Sequence, residues 1–197
     1  MEEEKEGKML VITAPSGAGK TTIVRHLLKT YPQLAFSVSA TNRPRRVKEK
    51  NGVDYFFMST EEFQEKIKNK SFLEWEEVYD GQYYGTLKSE ITRIWREGKH
   101  IIFDIDVRGA SNIKNMYPDQ CLALFIKPPS IQTLINRLKS RKSETGKSLL
   151  KRIARVKKEM IYENSFDKVL VNDILEVALK EAELIVEEFI FQEYINY

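Results

Sequence analysis

A chain of 197 residues is long enough for one compact domain with a real core, and 42% hydrophobic and 31% charged content exclude a disordered or fibrous protein. A net charge of +3 suits an anionic ligand without the dense basic surface of a nucleic-acid-binding domain. One cysteine rules out an internal disulfide, and with only two histidines it leaves too few ligands for an ordinary zinc site.

The chain opens with Met1-Glu2-Glu3-Glu4-Lys5-Glu6, which is acidic and polar, the opposite of a secretory signal, and is expected to fray. No segment approaches the roughly 20 apolar residues of a membrane span, so a cytoplasmic location is expected, with no membrane partner. A buried strand is predicted at 9–13, and Ile23, Val24, Leu27 and Leu28 stand at helical spacing within 20–30. Between them lies Ala14-Pro15-Ser16-Gly17-Ala18-Gly19-Lys20-Thr21. Strand, glycine turn and helix N-terminus in that order are the setting of a phosphate-binding loop, here with Ala14 where glycine is usual. Gly17 and Gly19 let backbone N–H groups turn toward a polyphosphate, and the helix N-terminus adds partial positive charge. Lys20 can reach the terminal phosphates, and Thr21 offers a hydroxyl to Mg²⁺ carried by the nucleotide. The ligand is a nucleoside triphosphate; the loop does not say where the phosphoryl group goes.

Further apolar runs predict strands at 35–39, 101–105, 121–126 and 168–171, with helices at 87–97, 130–142, 148–163 and 174–193. This alternation predicts an α/β fold, a parallel sheet with helices on both faces. Cys121 falls in an apolar run and reads as a buried thiol of a reducing compartment. Leu175, Leu179, Ala182, Ile185, Val186, Phe189 and Ile190 form a core-facing stripe on the last helix. The stretch 41–86 breaks the alternation. It carries Arg43, Arg45 and Arg46, a Tyr55-Phe56-Phe57 run, a short helix near 60–69, and Phe72-Leu73-Glu74-Trp75, and is read as an inserted lobe of short strands. By strand alternation Trp75 points away from Glu74 and is expected to pack in the core. The stretch 139–158 is rich in Lys and Arg, a poor core candidate and a plausible cover. It lacks the interleaved aromatics that stack on bases, so no nucleic-acid partner is expected. Asp104 and Asp106 end the 101–105 strand with the same parity, at the carboxyl side where open α/β sheets bind ligands. Their alternative role is to cap the helix that begins near Gly109.

Several motifs occur together: Ser37-Val38-Ser39-Ala40-Thr41-Asn42-Arg43-Pro44-Arg45-Arg46, Asn51-Gly52-Val53-Asp54-Tyr55-Phe56-Phe57, Phe72-Leu73-Glu74-Trp75, Tyr83-Tyr84-Gly85-Thr86 and Asp104-Ile105-Asp106-Val107-Arg108-Gly109. With the phosphate loop, and in this order from about Met9 to Ile190, they resemble guanylate kinase. The resemblance implies transfer of the γ-phosphoryl group of ATP to GMP, and to dGMP, with Mg²⁺ accompanying ATP. It implies one domain with a core at 8–40, 87–136 and 165–193, a GMP-binding lobe at 41–86 and a lid at 137–164.

Residue by residue, the resemblance makes Ala14 to Thr21 and Asn172 the ATP side, although Asn172-Asp173 reads equally well as a simple turn. Arg43 and Arg46 match the pair that holds the GMP phosphate, with Tyr55 and Tyr84 as phenolic donors. Forked, permanently charged donors are what a dianion needs; Arg45 has no such match and is left solvated. Glu74 matches the guanine reader. A carboxylate accepts from the adjacent N1–H and N2–H₂ of guanine, whereas adenine offers a bare acceptor at N1. Ser39 and Thr86 match hydroxyl positions near the base. Asp106 is implied near the base and Asp104 near the metal and phosphates. Arg137, Arg141 and Arg152 of the lid, with Lys20 and Arg43, are implied to stabilise charge during transfer, and Arg155 is a weaker participant. Arg108 stands where the family has glutamine and receives no role. The number of subunits is left open.

Overall fold

The computed structural model describes residues 6–140 and 146–191, with side chains of the helix at 146–160 described from Ile153 onward. Its centre is β1 (Met9–Thr13), apolar and buried at every position but the last, where the buried residue is a threonine. That continuous pattern is what a strand covered on both faces requires. β2 (Leu34–Phe36), β7 (His100–Asp104), β8 (Cys121–Lys127) and β9 (Lys168–Val171) complete a parallel sheet of order β2-β7-β1-β8-β9. α1 (Lys20–Thr30) and α7 (Leu175–Phe191) bury Ile23, Val24, Leu27, Ala182, Val186 and Ile190 against one face. α3 (Lys88–Arg96) and α4 (Val107–Met116) cover the other with Ile91, Ile94, Ala110 and Ile113.

A second sheet projects from this core. β3 (Ala40–Thr41), β4 (Phe56–Phe57), β5 (Phe72–Tyr79) and β6 (Gln82–Leu87) pair in the order β4-β3-β6-β5, parallel between β3 and β4 and antiparallel elsewhere. α2 (Thr60–Lys68) starts at a full capping box between Ser59 and Glu62 and stacks Phe63 on Phe72. The basic stretch forms the end of α5 (Ile131–Lys139) and α6 (Gly146–Met160), followed by a 3₁₀ turn at Ile161–Ser165.

Several expectations need correction. The strand at 35–39 ends at Phe36, because the chain leaves the core sheet there and pairs into the second sheet at Ala40. Asp104 and Asp106 do not end one strand: β7 stops at Asp104, and Asp106 takes the alternative role of N-cap, to a helix α4 that starts at Val107, two residues before Gly109. Trp75 is 41% exposed and meets Tyr83 edge-on, so it is surface and not core. The basic stretch does reach the core, since Val156 is fully buried in the larger apolar cluster. On α7, Leu175 is exposed and Ala178 is buried in its place. The opening residues 1–5 and Arg141 lie outside the described residues, as does the side chain of Arg152. Among the described residues no helix is long and apolar enough to cross a membrane. Cys121 is buried, and burial pushes its thiol up to about 12.

Candidate active site

The loop between β1 and α1 turns on Gly17 and Gly19, with φ of 96° and 99°, a region that side chains other than glycine rarely enter. Gly19 is also the N-cap of α1, and a Cβ there would collide with the Asn172 side-chain amide. Asn172 is buried behind the loop and donates from Nδ2 to the Ala18 carbonyl at 2.7 Å. Its own carbonyl accepts from Arg137 Nη2 at 3.1 Å, so Arg137 on α5 is anchored to the chain segment that holds the loop. Lys20 donates from Nζ to Asp104 Oδ1 at 2.5 Å and to the Ile105 carbonyl at 2.9 Å. Thr21 Oγ1 lies 3.4 Å from Asp104 Oδ2. Hydroxyl and carboxylate oxygens at this spacing form a hard donor set, which suits a small divalent cation arriving with a triphosphate.

The loop opens into a cavity of about 330 Å³ whose wall includes Lys20, Ser39, Tyr55, Glu74, Tyr84 and Asp104. Ala14, Pro15 and Ser16 line its other side. At the far end Glu74, 8% exposed, accepts from the Thr86 hydroxyl at 2.6 Å. Burial raises the Glu74 carboxyl to about 7, opposed by the Thr86 hydrogen bond and reinforced by the charges of Asp106 and Glu76. Gly109, in the first turn of α4, is what makes room for it, because a Cβ at that position would lie 2.7 Å from Glu74 Oε2.

Beside this pocket, Arg43 donates from Nη1 and Nη2 to both oxygens of Glu49 at 2.8 Å, and its guanidinium lies over the rings of Tyr55 and Phe57. The Tyr84 phenol lies beside the same guanidinium, and the rings of Tyr55 and Tyr84 meet edge-on. Arg43 holds the Glu49 carboxyl down at about 2, so this pair is ionised at any physiological pH. Burial raises the Tyr55 phenol to about 12, which keeps it a neutral donor. Arg46 is exposed and joins the group through its backbone N–H, which donates to Glu49 at 2.8 Å. Arg45 is exposed, and Arg108 lies 3.8 Å from Glu76.

Asp106 has two tasks. Oδ1 accepts from the backbone N–H groups of Arg108 and Gly109, capping α4, and Oδ2 accepts from Arg155 at 3.1 Å. The residue reading therefore brings together Lys20, Thr21, Ser39, Tyr55, Glu74, Tyr84, Asp104 and Asp106 around one cavity, with Arg43 and Thr86 directly behind its lining. It misses Glu49 and Glu159. Neither carries a sequence signal of its own, since an acidic residue within a charged stretch reads as solvated.

A parallel sheet with a glycine loop at the carboxyl end of its central strand, and a cavity walled by a second sheet and by α6, defines a phosphate-loop nucleotide-binding protein. The guanylate kinase family model matches residues 6–189, and the chain belongs to that family. It is 44% identical to the guanylate kinase of Bacteroides thetaiotaomicron over 97% of this chain and 94% of that one. It is 45% identical to that of Porphyromonas gingivalis over 93% and 98% of the two chains. The crystal structure of guanylate kinase from Anaplasma phagocytophilum superimposes with a TM-score of 0.76 at 27% identity, covering 93% of this chain and 86% of that one.

Proposed function

We propose that the protein is a guanylate kinase that transfers the γ-phosphoryl group of ATP to GMP, and to dGMP, by direct in-line displacement. The observation that carries this reading is one cavity reaching from Lys20 at the phosphate loop to the buried Glu74–Thr86 pair. A single cavity with a phosphate loop at one end and a buried carboxylate at the other suits two nucleotides that meet phosphate to phosphate.

Each end has a chemical task. Thr86 orients Glu74, and the ionised carboxylate accepts from N1–H and N2–H₂ of guanine; adenine would leave it unpaired. Arg43, Arg46, Tyr55 and Tyr84 supply donors to the monophosphate. Lys20 leaves Asp104 for the β- and γ-phosphates, where its charge offsets that developing during transfer. Mg²⁺ bound to ATP would be met by Thr21 and Asp104, and it supplies charge neutralisation on the phosphate oxygens. Arg137, Arg141 and Arg152 of the lid are assigned to the triphosphate, on the strength of the family pattern. No side chain needs to carry the phosphoryl group, so inversion at the γ-phosphorus is expected. The substrates are small molecules met in the cytoplasm, and neither nucleic acid nor membrane is needed.

The test is ADP release from Mg²⁺–ATP with GMP, dGMP, AMP, CMP and UMP offered separately. Turnover is expected with GMP and dGMP, little with AMP, and a loss of roughly a hundredfold or more in Lys20→Ala. Equal turnover with AMP would overturn the role of Glu74. Retention of configuration at a chiral γ-phosphorus would overturn direct transfer.

A further inference from the structure

Arg155 stands apart from the lid arginines assigned above, and all three nitrogens of its guanidinium are engaged. Nε donates to Glu159 Oε1 at 2.5 Å, on its own helix. Nη2 donates to Asp106 Oδ2 at 3.1 Å, on the core. Nη1 donates to the Val78 carbonyl at 3.3 Å, and the guanidinium lies 5.1 Å from the centre of the Tyr79 ring, both on β5 of the second sheet. One side chain therefore ties the lid helix, the core and the GMP-side sheet to a single point on the cavity wall.

The chain of contacts continues in both directions. Glu159 is 6% exposed, its carboxylate lies close enough to the backbone N–H of Ser16 in the phosphate loop to be stabilised by it, and among the described residues its Oε2 has no hydrogen-bond partner. Burial raises the Glu159 carboxyl, opposed by the charge of Arg155. On the other side Asp106 passes to the N-terminus of α4, where Gly109 adjoins Glu74. Glu159, Arg155 and Asp106 thus form a hydrogen-bonded line across the cleft, with the phosphate loop next to one end and Glu74 next to the other.

We propose that Arg155 is a positioning residue of the transfer, which couples seating of GMP to closure of the lid over ATP through its shared bonds to Asp106 and Glu159. The physical basis is competition for one guanidinium. Arriving guanine draws on Asp106; Arg155 then gives more of its charge to Glu159 and pulls on the helix that contacts the phosphate loop. Coupling of this kind is reciprocal, so a bound triphosphate must tighten GMP by the same factor. This inference rests on the GMP reading above.

The experiment is calorimetric titration of GMP into wild-type protein and Arg155→Met, with and without Mg²⁺ and a non-hydrolysable ATP analogue. Methionine keeps the apolar stem against Tyr79 and removes the fork. Wild type is expected to bind GMP at least about fivefold tighter with the analogue present. In Arg155→Met the enhancement falls to near one, while the analogue alone binds within about threefold of wild type and kcat falls more than KM for ATP. Arg155→Lys restores part of the enhancement, since it keeps a charge without the fork. Glu159→Gln, which keeps shape and loses charge, gives an intermediate value and serves if Arg155→Met does not fold. Undiminished enhancement in the folded variants, or none in wild type, overturns the proposal. If wild type binds and phosphorylates GMP yet either of those results is found, only the coupling fails; if wild type does not take GMP, the functional reading itself fails.

Discussion

In the role proposed for it Glu74 has to be ionised to read guanine, yet its surroundings hold it near the point of half-protonation. Binding GMP therefore releases a proton at and below neutral pH, and the sign follows directly. KM for GMP should fall as pH rises toward about 7 and level off above it, approaching a tenfold change per unit on the acid side. Measured between pH 5.5 and 8.5, the slope should shrink in Glu74→Gln to that of the GMP phosphate alone, whose second pKa is about 6. The same carboxyl weakens the free protein. A folded-state pKa above the unfolded value means that stability is highest below about 4.5 and is lost as pH rises through about 7, by on the order of 3 kcal/mol. Glu74→Gln should accordingly raise Tm by several degrees at pH 8 and hardly at pH 5, while GMP turnover drops by roughly a hundredfold or more. A residue that costs stability and earns specificity is expected at a binding site.

At the scale of elements, α4 backs the pocket around Glu74. Its first turn holds Asp106 as cap and Gly109 against Glu74, so adding one methyl there acts on the pocket without entering it. Gly109→Ala should raise KM for GMP about tenfold, corresponding to about 1.4 kcal/mol. KM for ATP and the melting temperature should stay close to wild type, and steady-state kinetics with each substrate varied in turn would separate the two effects. This helix was also the least legible element. Val107-Arg108-Gly109-Ala110-Ser111-Asn112-Ile113 buries small residues on a narrow face, which periodicity does not distinguish from a loop. The continuous apolar strands at 9–13, 101–105 and 121–126 were plain in the sequence because both faces are covered. Val156, which packs with Met160 on the core, was hidden by the charges around it. Site residues were legible where a motif fixes their spacing, as at Lys20 and Thr21. Glu49 and Glu159 sit in charged stretches where no local pattern announces a partner, and Arg155 was marked only as a weaker member of the lid set, because its contacts to Asp106 and Val78 come from other elements.

At the scale of the whole molecule, two bodies flank one cleft: the second sheet on one side and α6 on the other. Phosphoryl transfer in water would lose ATP to hydrolysis, so the two should close only when both substrates are in place. Small-angle scattering should show the radius of gyration falling little with GMP or the ATP analogue alone and most with both together. An equal fall with either ligand would contradict linked closure. The order of the core sheet carries a different consequence. β1 precedes the other strands of the core sheet in chain order and lies in the middle, hydrogen-bonded to β7 on one side and β8 on the other. At a synthesis rate of about 5–20 residues per second, it leaves the ribosome roughly ten seconds before its second neighbour exists. Until β7 and then β8 follow, an apolar segment with open edges is a target for chaperones and for pairing with another nascent copy. The strand that carries the phosphate loop is thus the one whose fate during translation depends most on what the cell provides.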